Sequence, residues 1–173
     1  LAGLLAQTVA ETLFGIVLVQ LIRPGAAVVL KMDADVMDPT TGQCTYGSPD
    51  QILGRSVLAQ LGLQYGVPTF TMGGGVEAKL PDSEAAAQAM MGMLMNALAG
   101  ITMSQAQGTL ASGLYGSMEQ LVLCDEMIHM IKHLLAGFTV NEETLALDVI
   151  RKIGHGGNFM TEDHTLKFFR QEM

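Results

Sequence analysis

The chain has 173 residues, 49% of them hydrophobic and only 15% charged, with a formal net charge of −8 at pH 7. That length and composition describe one domain over residues 1–173 with a sizeable buried core, and exclude a disordered or fibrous chain. The acidic balance argues against a nucleic-acid backbone or an anionic membrane as partner, and Cys44 and Cys124 make no disulfide framework, which points to a reducing, cytoplasmic setting.

Residues 1–22 are the first predicted helix. Gln7, Thr8, Glu11, Thr12 and Gln20 interrupt its apolar run, so it reads as a buried helix and neither a bilayer span nor a signal peptide. The chain opens on Leu1, already within the helical pattern, and is expected to be part of a longer protein. Arg23-Pro24-Gly25 stops the helix, and Ala26 to Leu30 reads as a short buried strand. Ser48-Pro49-Asp50-Gln51 combines an N-cap, a proline at the first helical position and a capping-box glutamine, which predicts a helix from Pro49 to about Tyr65. Gly66 breaks it, and Val67 to Met72 is the second strand. Asp82 or Ser83 then caps a helix to about Leu98, and Gly100 leads into a third strand, Ile101 to Gln105. Ser117 to Gln120 is a second capping box, opening a helix to about Leu135, and Asn141 and Thr161 start two more.

Short apolar strands alternating with helices predict an α/β fold with a parallel sheet. Three strands cannot close a barrel, so the pattern alone leaves two architectures open: the C-terminal portion of a (β/α)8 TIM barrel with extra C-terminal helices, or an open doubly wound sheet. The unpaired sheet edges of a partial barrel predict association with another chain, as a homo-oligomer.

In either architecture the ligand site lies at the carboxyl ends of the strands. That rule selects the loops 31–47, 73–82 and 105–116. The first holds Asp33, Asp35, Asp38 and Tyr46; the second Glu77, Lys79 and Asp82; the third Gln105, Gln107 and Tyr115. Gly73, Gly74 and Gly75 either let backbone approach a flat ligand or an anion, or form a plain flexible loop. Glu77, Lys79 and Asp82 are either site residues or a mutually paired surface cluster, and Asp82 doubles as a helix cap. Tyr46, Tyr115 and Phe70 could offer π-faces to a cationic ligand, Phe70 fitting the core better. Glu126, His129 and His133 share one helical face, but Lys132 sits beside them and no fourth ligand is visible, so no metal site is predicted. The methionines at 90, 91, 93 and 95 read as core filling. His155, flanked by glycines, is an exposed candidate.

Several runs carry a family likeness. Gly154-His155-Gly156-Gly157-Asn158-Phe159-Met160, followed by Glu162-Asp163-His164-Thr165 and Phe169-Arg170, resembles the terminal motif of the trimethylamine and betaine methyltransferases. Ser117 to Glu126, Gly73 to Asp82, Asp38-Pro39-Thr40-Thr41-Gly42 and Gly47-Ser48-Pro49-Asp50 resemble further segments of that family in the same order, with Cys124 replacing an acid. The resemblance implies a TIM-barrel enzyme that passes a methyl group from a methylated amine to the Co(I) of a corrinoid (cobalamin) carried by a partner protein, as in methylamine metabolism and methanogenesis. No pyrrolysine is present, so the chain is similar to the branch whose substrates include glycine betaine and related quaternary amines. By the same resemblance Glu77, Lys79 and Asp82 contact substrate or corrinoid, whereas Gly154 to Gly157 and His164 either do so or pack the last helix. Two rival readings are a phosphate-ligand barrel enzyme using the glycine triplet, and a non-catalytic half-barrel that binds betaine or oligomerises.

Overall fold

Three short strands, joined in sequence by helices, form the frame that positions the strand-end loops. The computed structural model describes residues 1–172, with the side chains of residues 1–169; Arg170, which closes the terminal motif, lies outside the described side chains. The chain gathers into two units, Leu1–Leu135 and Ala136–Met173.

In the first unit α1 (Ala2–Ile22) precedes β1 (Leu30–Lys31), α2 (Pro49–Gln64), β2 (Thr69–Met72), α3 (Ser83–Leu98) and β3 (Met103–Gln105). The strands pair in parallel in the order β1-β2-β3, with Leu30 opposite Thr69, and Phe70 and Met72 opposite Met103 and Gln105. The α/β character and parallel pairing agree with the sequence pattern, but each strand is shorter than its apolar run. Ala26 is held at the end of α1, since its carbonyl accepts from Gln20 and its N–H donates to Arg23 O. Val67 N–H donates back to Gly62 O, and Pro68 has no N–H to give, so the β2 ladder begins at Thr69. Likewise Ile101 N–H returns to Asn96 O and delays β3.

The loop after β3 contains a hairpin that the sequence pattern did not reveal. Here β4 (Thr109–Leu110) pairs antiparallel with β5 (Tyr115–Gly116) across a short 3-10 turn, Ala111–Gly113. It leads into α4 (Met118–Ala136).

Two apolar clusters hold this unit together. One joins Leu30, Met32 and Ala34 to Leu58 of α2, with Leu4, Leu5, Val9 and Ile16 of α1 packed against it. The other gathers Val76, Ala78, Ala85, Ala89, Met93, Leu110, Cys124 and Ile131, so α3 and α4 enclose the segment after β2. Met90 and Met93 fill this cluster as expected, whereas Met91 lies at the surface.

The expectation of a buried first helix needs correction. None of the residues of α1 is buried. Apolar residues are spread around most of the helix, broken by such pairs as Gln7 and Glu11, but one face alone finds a partner, which leaves Phe14, Leu21 and Ile22 exposed. By length and composition it is also long and apolar enough to cross a membrane.

The second unit contains α5 (Glu142–Leu145), α6 (Leu147–Ile153) and α7 (Asp163–Glu172). Asn141 opens α5 with a complete capping box to Thr144. Ala146, left-handed at φ 48°, separates α5 from α6, a helix absent from the sequence reading. The last helix begins at Asp163, two residues beyond Thr161. It is tied to α5 by His164 Nε2 against Glu143 O at 2.7 Å and by an ion pair between Lys167 and Glu143, which holds the Glu143 carboxyl below its usual range. Lys152 and Glu162 pair at 2.8 Å.

Candidate functional site

The three loops selected by the strand-end rule meet around one cavity of about 210 Å3, lined by Asp38, Thr41 and Cys44 from the first, Glu77 and Lys79 from the second, and Ala111 and Ser112 from the third, among others. Its walls are rigid for identifiable reasons. Ala111 N–H donates to Ala78 O and Ser112 N–H to Val76 O, both at 2.9 Å, while Val76 N–H donates to Thr109 O at 3.1 Å. Tyr115 donates its hydroxyl to Lys79 O. Gln88 of α3 accepts from Glu77 N–H at 2.9 Å and Ala78 N–H at 3.3 Å. Ala111 and Ser112, at φ 49° and 53°, occupy the left-handed region, which costs about 1–3 kcal/mol each and persists only where surroundings enforce it, most often at sites.

Of the charged groups on the cavity, Asp38 is already satisfied. Its carboxylate accepts from Thr40 N–H and Thr41 Oγ1, each at 2.8 Å, and these bonds hold its pKa below the usual range. The Asp-Pro-Thr-Thr-Gly motif is therefore a turn in which the aspartate caps its own loop. Glu77 and Lys79 have no side-chain partner among the described residues, in contrast to the mutually paired cluster considered from sequence. Burial raises the Glu77 pKa, with repulsion from Glu84 and Asp38 adding to it. A carboxyl so placed gains from a cation at the cavity.

Asp82 belongs to the fold. Its carboxylate caps α3 through Glu84 N–H at 3.0 Å and Ala85 N–H at 3.1 Å. The glycine triplet is also occupied by the protein itself. A Cβ at Gly73 would lie 2.3 Å from Ser104 Oγ, one at Gly74 2.8 Å from Gln107 Cα, and one at Gly75 2.8 Å from Met72 Sδ. Gly73 and Gly74 both donate N–H to Gln105 O, at 3.1 and 3.2 Å, so these amides form no anion cradle and the phosphate-binding reading loses its support.

Tyr46 stands behind the cavity wall, its ring against Gly75 and Gly113. One ring face is taken by the Arg55 guanidinium, 5.8 Å from the centroid. Arg55 in turn joins Asp33 (Nε to Oδ1, 3.3 Å) and Asp35 (Nη2 to Oδ1, 3.0 Å). Thr71 donates to Asp33, and Gln51 donates to Asp35 while accepting from Gly47 N–H, so Gln51 braces the loop instead of closing a capping box on Ser48. The strand-end rule found Asp33 and Asp35, but Arg55 and Gln51 lie inside α2 and were missed. Their signal was two long polar residues on a buried helix face that is otherwise apolar apart from Ser56. Asn96 was missed similarly; it donates to Met72 O at 3.1 Å and Ser104 Oγ at 3.2 Å, tying α3 to the ends of β2 and β3.

Gln107 faces a different groove of about 600 Å3, shared with Ser104, Leu121, Val122, Asp125 and Ile128. Gln105 contributes its carbonyl as described. His155 is exposed in the glycine loop of the second unit. His129 lies beside Asp125 at the surface, and among the described residues no three of His, Cys, Asp and Glu gather to hold a metal ion.

Parallel strands whose following loops line a small charged cavity define an α/β protein with a cavity at its strand ends, where ligands bind in such folds. The trimethylamine methyltransferase (MTTB) family profile matches residues 1–173, and the chain belongs to that family. It is 39% identical over 165 residues to trimethylamine methyltransferase MttB of Methanosarcina thermophila, covering 95% of this chain and 34% of that protein. It is 36% identical over 172 residues to MttB of Desulfitobacterium hafniense, covering 99% and 35%. It is likewise 36% identical over 173 residues to a glycine betaine methyltransferase of Desulfitobacterium hafniense, covering 99% and 36%. The chain thus spans about a third of the length of these relatives.

Proposed function

We propose that this chain serves the methyl-donor side of a methyl transfer from a methylated, quaternary amine such as glycine betaine to a corrinoid held by a separate protein. The observation that carries the reading is Glu77, a carboxyl with no side-chain partner among the described residues and a raised pKa, at the cavity in a chain that matches the family along its whole length. A quaternary ammonium has no N–H to donate, so it is held by charge and by close packing. Glu77 meets the charge, and the pinned segment from Val76 to Lys79 fixes where that charge stands. Binding there would orient one N-methyl group outward and exclude water from the rest of the head.

The corrinoid would supply the cobalt nucleophile that takes the methyl group. The residues present fit a cofactor carried elsewhere: at about 210 Å3 the cavity lies below the range of pockets that enclose drug-sized ligands, so it accepts a small head and leaves a macrocycle to face the loops from outside.

For the architecture we propose a (β/α)8 barrel in the whole protein. The uninterrupted order β1-β2-β3 supports it, as does the direct packing of α2 on α3, since a doubly wound sheet reverses its strand order at the ligand site. We read α1 as a packing helix of that barrel because its inner residues join the β1 cluster. A cytoplasmic homo-oligomer without nucleic-acid or membrane partners fits the acidic charge and the two free thiols.

Glu77→Ala tests the site. Calorimetric titration with glycine betaine should show at least about a tenfold loss of affinity, the order expected for a charge-assisted contact in a partly desolvated site. Unchanged affinity would remove Glu77 from the site.

A further inference from the structure

Glu77 and Lys79 lie two residues apart on a segment that bends at both and whose backbone is pinned around them. Both line the same cavity, and no ion pair joins them among the described residues. The remaining lining carboxylate, Asp38, is consumed by its own turn. Lys79, itself exposed, thus brings a positive charge to the cavity where Glu77 brings a negative one. Its backbone is held at three points around it: the Tyr115 hydroxyl on Lys79 O, Ala111 N–H on Ala78 O, and Gln88 on Ala78 N–H.

We infer that Lys79 is the specificity-determining residue of this cavity: it takes the carboxylate of a zwitterionic N-methylated substrate whose ammonium faces Glu77, so a cation lacking that carboxylate is discriminated against. The inference rests on the reading of the cavity as an ammonium site and adds a second, separable contact to it. Tyr115 acts through Lys79 as a positioning residue, since its hydroxyl holds the backbone carbonyl of the residue whose side chain reaches the cavity. A bare tetraalkylammonium would gain from Glu77 and be repelled by Lys79, whereas a betaine satisfies both charges.

The test is calorimetric titration of the chain and its variants with two probes that share the quaternary head: glycine betaine, and tetramethylammonium, which has no carboxylate. The native chain should bind the betaine at least about fivefold more tightly, the scale of a partly exposed ion pair. Lys79→Met should erase that preference without weakening tetramethylammonium, Lys79→Arg should keep it, and Tyr115→Phe should reduce it. Equal loss of both probes in Lys79→Met, or an unchanged betaine preference, would overturn the role of Lys79 while leaving the ammonium site standing. Binding of neither probe by the native chain, with its fold verified by circular dichroism, would overturn both.

Discussion

At the scale of single residues, the ionised form of Glu77 carries a cost in stability that the proposed ligand would offset. Its folded-state pKa is raised above the ordinary carboxyl range. The ionised form therefore costs stability, fully above the raised value, and the cost disappears as pH falls from there toward the ordinary range. Glu77→Gln should raise the melting temperature at pH 8, and that gain should shrink on acidification through this window. A gain that grew with acid would contradict the assignment. Ammonium binding at the proposed site should show the matching dependence, full above the raised pKa and lost as pH drops through it. Arg55 behaves differently, being buried between Asp33 and Asp35 with Tyr46 on its face. Arg55→Met leaves Asp35 without its cation and Asp33 with Lys31 Nζ alone, at 3.2 Å, and should cost about 3 kcal/mol in urea unfolding, the lower end for breaking a buried pair. Asn96→Ala should cost about 1–3 kcal/mol by orphaning Met72 O.

At the scale of elements, helix-to-strand contact depends on close approach. A Cβ on Gly92 of α3 would stand 2.4 Å from Gly73 O, a backbone atom that cannot step aside. Gly92→Ala should therefore cost about 1–3 kcal/mol through overpacking, and a neutral result would mean that α3 is not seated on the glycine triplet. In the second unit Ala146→Gly relieves a left-handed backbone and should stabilise the α5–α6 turn by at most about 1 kcal/mol, read by hydrogen exchange at Leu147 to Ile150. Helices whose starts are written in local chemistry were legible, as at Ser48-Pro49 and Asn141, whereas α6 begins after Ala146 with no side-chain cap and was not. The strand boundaries were not, because Ala26, Val67 and Ile101 spend their hydrogen bonds on the preceding helix ends. The β4–β5 hairpin escaped because its turn uses Ala111 and Ser112 in conformations usually reserved for glycine or asparagine. Glu77 and Lys79 were reachable through the strand-end rule. Arg55 and Asn96 were not, since a polar residue inside a helix discloses its target only when the helix is placed.

At the scale of the whole molecule, the outer face of α1 and much of α4 present large apolar side chains, among them Phe14, Leu21, Ile22, Val122, Met130 and Leu134. Surface of that kind drives association, so light scattering should find this chain larger than a monomer at micromolar concentration. The most direct measurement follows the Co(I) absorbance of reduced free cobalamin on addition of glycine betaine to the chain, alone and completed with the remainder of a full-length relative. The expected result is loss of that absorbance with the completed protein, abolished by Glu77→Ala. Persistent Co(I) absorbance with a folded, completed protein across several quaternary amines would contradict the proposed methyl transfer.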